Sequence, residues 1–189
     1  IRDNLPGLEF RRVLFRSFFR SRRGLAIEEV GRRLVWLGAP LEHPLEITGT
    51  PVAHLRVLPS GEDALLFLYL DALAPGGALL PLTEGALRAA HRPAAGRGPE
   101  MRSFLRLDFT PLKPGEELLH SFELQPISVL VPAGHRLRLS LAGSDRDAFA
   151  PPAKEAAQEL HLLLGGAEPT RVDLPVVPHA PPRGQEEKK

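Results

Sequence analysis

Hydrolysis on a protein needs a nucleophile, a base and a group that orients the base. The raw material here is a handful of serines, seven histidines and 23 acidic residues. Cysteine is absent, which removes thiolate catalysis, disulfides and any sulfur-ligated zinc. A serine nucleophile on a strand-to-helix elbow is written G-x-S-x-G, because glycines let the turn tighten until the hydroxyl is exposed. No glycine in this chain has a serine two positions later. His43, His54, His91, His120, His135, His161 and His179 show neither H-x-x-x-H nor H-E-x-x-H spacing, so no metal site is expected. The sequence therefore names no catalytic residue, no metal ligand and no cofactor.

What remains points to structural polar work. His135 opens "AGHRLR", where a side chain that ties a turn by hydrogen bonding is the expected role. Asp71 closes the apolar run "ALLFLYLDAL" and is the acid best placed to be structural. Arg88 or Arg92 would pair with it or with Asp145. Asp71, Arg88, Arg92, His135 and Asp145 thus form a candidate structural polar cluster. His91 is expected at a strand end or an interface. "GED" at 61–63 and "GEE" at 115–117 are expected to be solvated turns.

The elements that would hold these residues are short. Twenty prolines and 17 glycines in 189 residues break the chain into many pieces joined by turns. In "PVAHLRV", Val52, His54 and Arg56 share one face and Ala53, Leu55 and Val57 the other, which is the period-two signature of a strand. "HRLRLSLAG" alternates most cleanly, with Leu137, Leu139 and Leu141 on one side; burying each is worth about 1.5–3 kcal/mol. "ALLFLYL" is apolar throughout and predicts a strand covered on both faces. "ALLPLTEGALRAAHRP" predicts its neighbour, with Pro81 at a bulge or an edge. "SFLRLDFTPL" and "ELLHSFELQPI" alternate as well, and "LHLLLGG" and "TRVDLPVVP" supply the last strands. "FAPPAKEAAQEL" is expected to hold the only helical turn. The sum is an all-β fold: an antiparallel jelly-roll β-sandwich of about nine or ten short strands.

The front of the chain is different. "LEFRRVLFRS", residues 8–17, resembles one reading frame of a common sequencing adapter translated by read-through. On that reading residues 1–24 are a non-native or disordered leader, 25–178 the domain, and 179–189 a disordered tail. The native protein would then extend upstream. Taking Arg2, Arg11, Arg12 and Arg16 from the 24 basic residues, and Asp3 and Glu9 from the 23 acidic ones, moves the formal charge from +1 to −1. Clustered positive charge is what nucleic-acid binding needs, so no nucleic-acid partner is expected. No membrane partner is expected either, since no apolar run approaches the ~20 residues that span a bilayer.

The order of the segments resembles a known module. "PLEITGTPVAHLRV", "DALAPGG", "EGALRAAHR" and "LKPGEELLHSFELQPISVLVPAGHRLRLSLAGSD" are similar to the C-terminal, non-catalytic domain of the X-prolyl dipeptidyl-peptidase and cocaine-esterase hydrolase superfamily. The likeness covers about residues 25–178, and "GALRAAHR" and "AGHRLRLSL" are its most specific pieces. "SDRDAFAPP" departs from the family's usual proline and aromatics after the serine–aspartate pair. The resemblance implies a jelly roll, which agrees with the strand count. It also implies an upstream α/β-hydrolase domain with a serine, an aspartate and a histidine that cleaves esters or amides through an acyl-enzyme. This chain would then be the accessory tail, inactive alone, with an exposed apolar patch where the catalytic domain docks; a homo-oligomer formed through the parent enzyme stays open. A free-standing binding module for carbohydrate or protein is the alternative, but the chain has one tryptophan, Trp36, and one tyrosine, Tyr69, which leaves little for sugar stacking.

Overall fold

The computed structural model describes residues 11–14, 28–30, 33–91, 102, 104–143, 160–164 and 170–178. The strands in chain order are β1 (Arg11–Leu14), β2 (Glu28–Val30), β3 (Arg33–Pro40), β4 (Leu45–Gly49), β5 (Val52–Pro59) and β6 (Leu65–Leu73). They continue as β7 (Leu79–Arg88), β8 (Leu118–Glu123), β9 (Ile127–Val131), β10 (Arg136–Ala142), β11 (Leu160–Leu162) and β12 (Arg171–Val177). One 3-10 turn, Arg106–Asp108, is the sole helical element among the described residues. The expected helical turn falls at residues 149–160, of which only Leu160 is described, as the start of β11.

Two antiparallel sheets result. One has seven strands in the order β11-β5-β12-β4-β9, with β8 paired to β5 and β1 to β12. The other has five, in the order β2-β3-β10-β6-β7. The chain passes between sheets from β3 to β4, β5 to β6 and β9 to β10 through short turns. Inward residues of both sheets form one core: Ile47, Leu55, Phe122 and Leu174 from the larger, Leu68, Leu70, Leu87 and Leu137 from the smaller. This is the expected all-β sandwich. The alternation in β5 holds residue by residue, with Ala53, Leu55 and Val57 buried; in β10 Leu137, Leu139 and Leu141 are buried as expected, but Ser140 and Ala142 on the other face are buried as well. In β6, Phe67 and Leu68 are both buried although they point to opposite faces, so the strand is covered on both sides, as its unbroken apolar run predicts.

β7 is the edge strand of the smaller sheet, and it carries the expected irregularity. Its register against β6 steps from Leu70–Thr83 to Asp71–Pro81, leaving Leu82 as an extra residue. Proline has no N–H to give the ladder, and a bulge on an edge is where it fits. Gly85 lies further along the strand, where β7 crosses the β8–β9 connection. A Cβ there would stand 2.9 Å from the Glu123 carbonyl oxygen and 3.0 Å from Leu124 Cα. That connection is fixed to both layers: Leu124 N donates to Pro51 O at 2.9 Å and Gln125 N to Glu84 O at 2.8 Å. The "GALRAAHR" glycine is thus a seam between sheets. The other specific segment, "AGHRLRLSL", forms the turn into β10, where Gly134 has φ +80°, a conformation that glycine adopts without strain.

One expected strand is absent. "SFLRLDF" alternates in sequence, yet Phe104 and Leu105 form no ladder, 106–108 turn as 3-10, and Phe109 makes a single bridge to His91. A strand needs a partner edge for its backbone groups, and among the described residues His91, just past β7, supplies one pair.

Candidate functional site

Three polar networks stand on the sandwich, and each is positioned by strand register. The first lies on the outer face of the smaller sheet. Register sets Arg138 of β10 opposite Asp71 of β6, and Arg138 Nη1 donates to Asp71 Oδ2 at 2.8 Å. Burial pushes the Asp71 carboxyl above its usual range, against the hydrogen bond and charge of Arg138 and the charge of Arg33. Arg33 lies over the Tyr69 ring, 4.9 Å from its centroid. Beside the pair, Tyr69, Asp71, Thr83, Glu84 and Gln125 line an open depression of about 300 Å³.

The second network sits where β7 ends. Arg88 Nε donates to Asp63 Oδ2 at 2.7 Å, and Asp63 Oδ1 also accepts the Ala64 amide at 2.9 Å. The Arg88 guanidinium stacks over Phe109 at 5.1 Å. His91 is buried between Phe104 and Phe109, with ring centroids 5.9 and 5.7 Å away.

The five residues expected to cluster do not all meet. Asp71 pairs with Arg138, its cross-strand neighbour, while Arg88 pairs instead with Asp63. The reason is geometric: Arg88 is opposite Leu65 in the β6–β7 ladder and Asp71 is opposite Pro81, so the two stand at opposite ends of the strand pair. Arg92 and Asp145 lie outside the described residues. His135 ties its turn by backbone, not side chain. Its carbonyl accepts the Leu41 amide at 2.8 Å, and Gly134 N donates to Leu41 O at 2.8 Å. His135 Nδ1 is buried with no hydrogen-bond partner among the described residues.

The third network was not legible in the sequence, and its composition is that of a catalytic triad. On the outer face of the larger sheet, His54 Nδ1 and Ser121 Oγ share a hydrogen bond of 2.8 Å. His54 Nε2 lies 3.2 Å from Asp173 Oδ2, and Arg171 Nε 3.4 Å from Asp173 Oδ1. Arg56 and Glu117 pair alongside. The members come from β5, β8 and β12, up to 119 residues apart (from 54 to 173). Only the strand phase that puts His54 on the polar face of β5 could have hinted at them. Acyl transfer also needs N–H donors aimed at the developing oxyanion. Ser121 is in mid-strand, directly opposite His54, and the amides around it lie in the plane of the sheet as ladder donors. Among the described residues Ser121 lacks the strand-to-helix elbow of a hydrolase nucleophile, and the trio ties three strands together.

Other chemistries find little support. Among the described residues, no three His, Asp or Glu side chains come together as a metal set, and no helix is long and apolar enough to cross a membrane. Trp36 is buried in the core, and Tyr69 is half-buried under Arg33, so neither offers a platform for a sugar.

Comparison with known proteins gives the arrangement its context. The model of the X-Pro dipeptidyl-peptidase C-terminal non-catalytic domain matches residues 8–173. A Mycobacterium bovis protein named as a serine esterase is 37% identical over 150 residues, covering 76% of this chain and 24% of that protein. The chain thus spans about a quarter of the length of the curated relatives it matches. Among solved structures, an α-amino acid ester hydrolase superposes with a TM-score of 0.63 at 22% identity, over 79% of this chain and 26% of that one. A CocE/NonD family hydrolase from Staphylococcus aureus gives 0.61 at 16% identity, over 77% and 30%. At these identities the solved structures speak for the fold.

Proposed function

We infer the function from one premise: the chain belongs to the X-Pro dipeptidyl-peptidase C-terminal non-catalytic domain family. It is the accessory β-sandwich of a serine hydrolase, and its work is to pack on an α/β-hydrolase catalytic domain that carries the serine, histidine and aspartate. The family match along nearly all of the sandwich carries this reading. The relatives' much greater length supports it, since three quarters of the matched esterase lies outside the shared segment. So does the chemistry on the strands: Ser121 has a base and an acid in line, but it stands in mid-strand opposite His54 and not on the strand-to-helix elbow that exposes a hydrolase nucleophile. We place the accessory domain at residues 25–178, with β2 to β12 inside those bounds. The full parent protein is expected to hydrolyse nitrophenyl esters or Xaa-Pro amides, and the purified 189-residue chain neither. Turnover that follows the isolated chain through successive purification steps overturns the reading.

A further inference from the structure

The segment that fails to become a strand leaves three large apolar side chains in the open. Phe104 is 71% exposed, Leu105 65% and Leu107 93%. Exposed leucines occur elsewhere on the described surface, but Leu79 and Leu80 reach only 46% and 52%. The turn is nonetheless held firmly at its base. Phe109 bridges His91, Thr110 N donates to Ala90 O at 2.9 Å, and Leu112 N donates to Glu62 O at 2.7 Å. Arg102 Nε donates to His91 O at 3.2 Å, and another guanidinium nitrogen of Arg102 donates to Ser121 O. Asp108 N donates to Leu105 O at 3.0 Å and closes the 3-10 turn. Apolar groups presented by ordered backbone, away from the core, are the form an interface contact takes.

We propose that the Phe104–Leu107 turn is the contact by which this sandwich docks on the catalytic domain of its parent hydrolase. The proposal rests on the accessory-domain reading above and adds the surface. Three such side chains offer on the order of 400 Å², about half of the ~800 Å² per partner that a specific free complex buries. A second copy of this chain would therefore be held too weakly through this turn. A catalytic domain on the same polypeptide is held at an effective concentration in the millimolar range and needs less area to stay docked. The matched relatives are about four times the length of the shared segment, so a tethered partner of ample size is the occupant that fits.

The test uses the full-length parent with Leu105→Glu and Leu107→Glu together, and a comparator with Leu79→Glu and Leu80→Glu. The paired loop change should raise the rate of protease cutting between the domains at least about fivefold, the effect of ~1 kcal/mol on opening. The comparator should cut at the wild-type rate. In the 189-residue chain the loop change should leave the melting temperature within about 2 °C, because these side chains touch no core. Wild-type cutting of the loop variant overturns the proposal, as does a larger effect of the comparator. So does a dimer of the isolated chain that the loop change dissolves. A parent without hydrolase activity overturns the accessory-domain reading itself, which the other outcomes leave standing.

Discussion

Replacing Gly85 with alanine tests the seam between the sheets. The added Cβ would stand 2.9 Å from the Glu123 carbonyl oxygen, 3.0 Å from Leu124 Cα and 3.1 Å from Leu124 Cγ. Ordinary contact begins near 3.4 Å, so β7 or the β8–β9 connection must retreat by about 0.5 Å. Two of the three obstacles are backbone, and the connection is anchored by the Leu124–Pro51 and Gln125–Glu84 hydrogen bonds, so a side-chain rotation cannot relieve the clash. Overpacking of this kind costs about 1–3 kcal/mol, offset by about 0.5–1 kcal/mol from removing a strand glycine. The net is centred near 1 kcal/mol, with limits of about 0 and 2.5 kcal/mol. At about 2–4 °C per kcal/mol for a chain of this size, Gly85→Ala should melt about 2–5 °C below wild type by calorimetry. Gly76, where a Cβ meets nothing within 4 Å, is the control, and Gly76→Ala should shift the melt by no more than about 2 °C. A folded Gly85→Ala protein that melts with the wild type, or above it, refutes the seam.

Other consequences follow from the same contacts. The raised Asp71 pKa means that the folded state holds the proton more tightly than the unfolded state, whose value is near 3.8. The group's stabilisation is therefore complete below that value and is lost as pH rises through the folded-state pKa. Melting temperatures from about pH 3.5 to 6.5 should show wild type losing ground against Asp71→Asn as pH rises; parallel curves would contradict the burial argument. Asp173→Asn weakens the charge of β12 that holds His54 of β5 and its own strand's Arg171 and should cost about 1–2 kcal/mol in urea unfolding; an unchanged midpoint would mean the tie is idle. Deleting residues 1–17 removes β1, whose four residues pair with β12. If that segment is a read-through product, the deleted chain should keep its melting temperature within about 2 °C, and a large loss would make β1 an integral strand.

Legibility followed the range of the interaction. Strand faces were readable because the period-two phase is local, as in β5 and β10, and Pro81 announced its bulge because proline cannot serve a ladder. The ion pairs were not readable. Arg138 meets Asp71 across 67 residues, and only the β6–β10 register decides that it, and not Arg88, is the neighbour. The His54–Ser121–Asp173 tie was hidden for the same reason. Segment 104–109 misled because alternation describes a side-chain pattern and carries no information on whether a partner edge exists. His135 misled in a subtler way: the "AGHR" turn is held by the chain's own amide and carbonyl groups, which sequence does not distinguish from side-chain work.

The claim that bond cleavage resides outside these strands is tested most directly with a fluorophosphonate, which forms a stable adduct with an activated serine. Incubation of the purified chain followed by intact mass measurement should leave the mass unchanged, while the full parent protein gains one adduct. A stoichiometric adduct on the isolated chain, mapped to Ser121 and abolished by His54→Ala, would show that the outer-face trio is a working nucleophile after all.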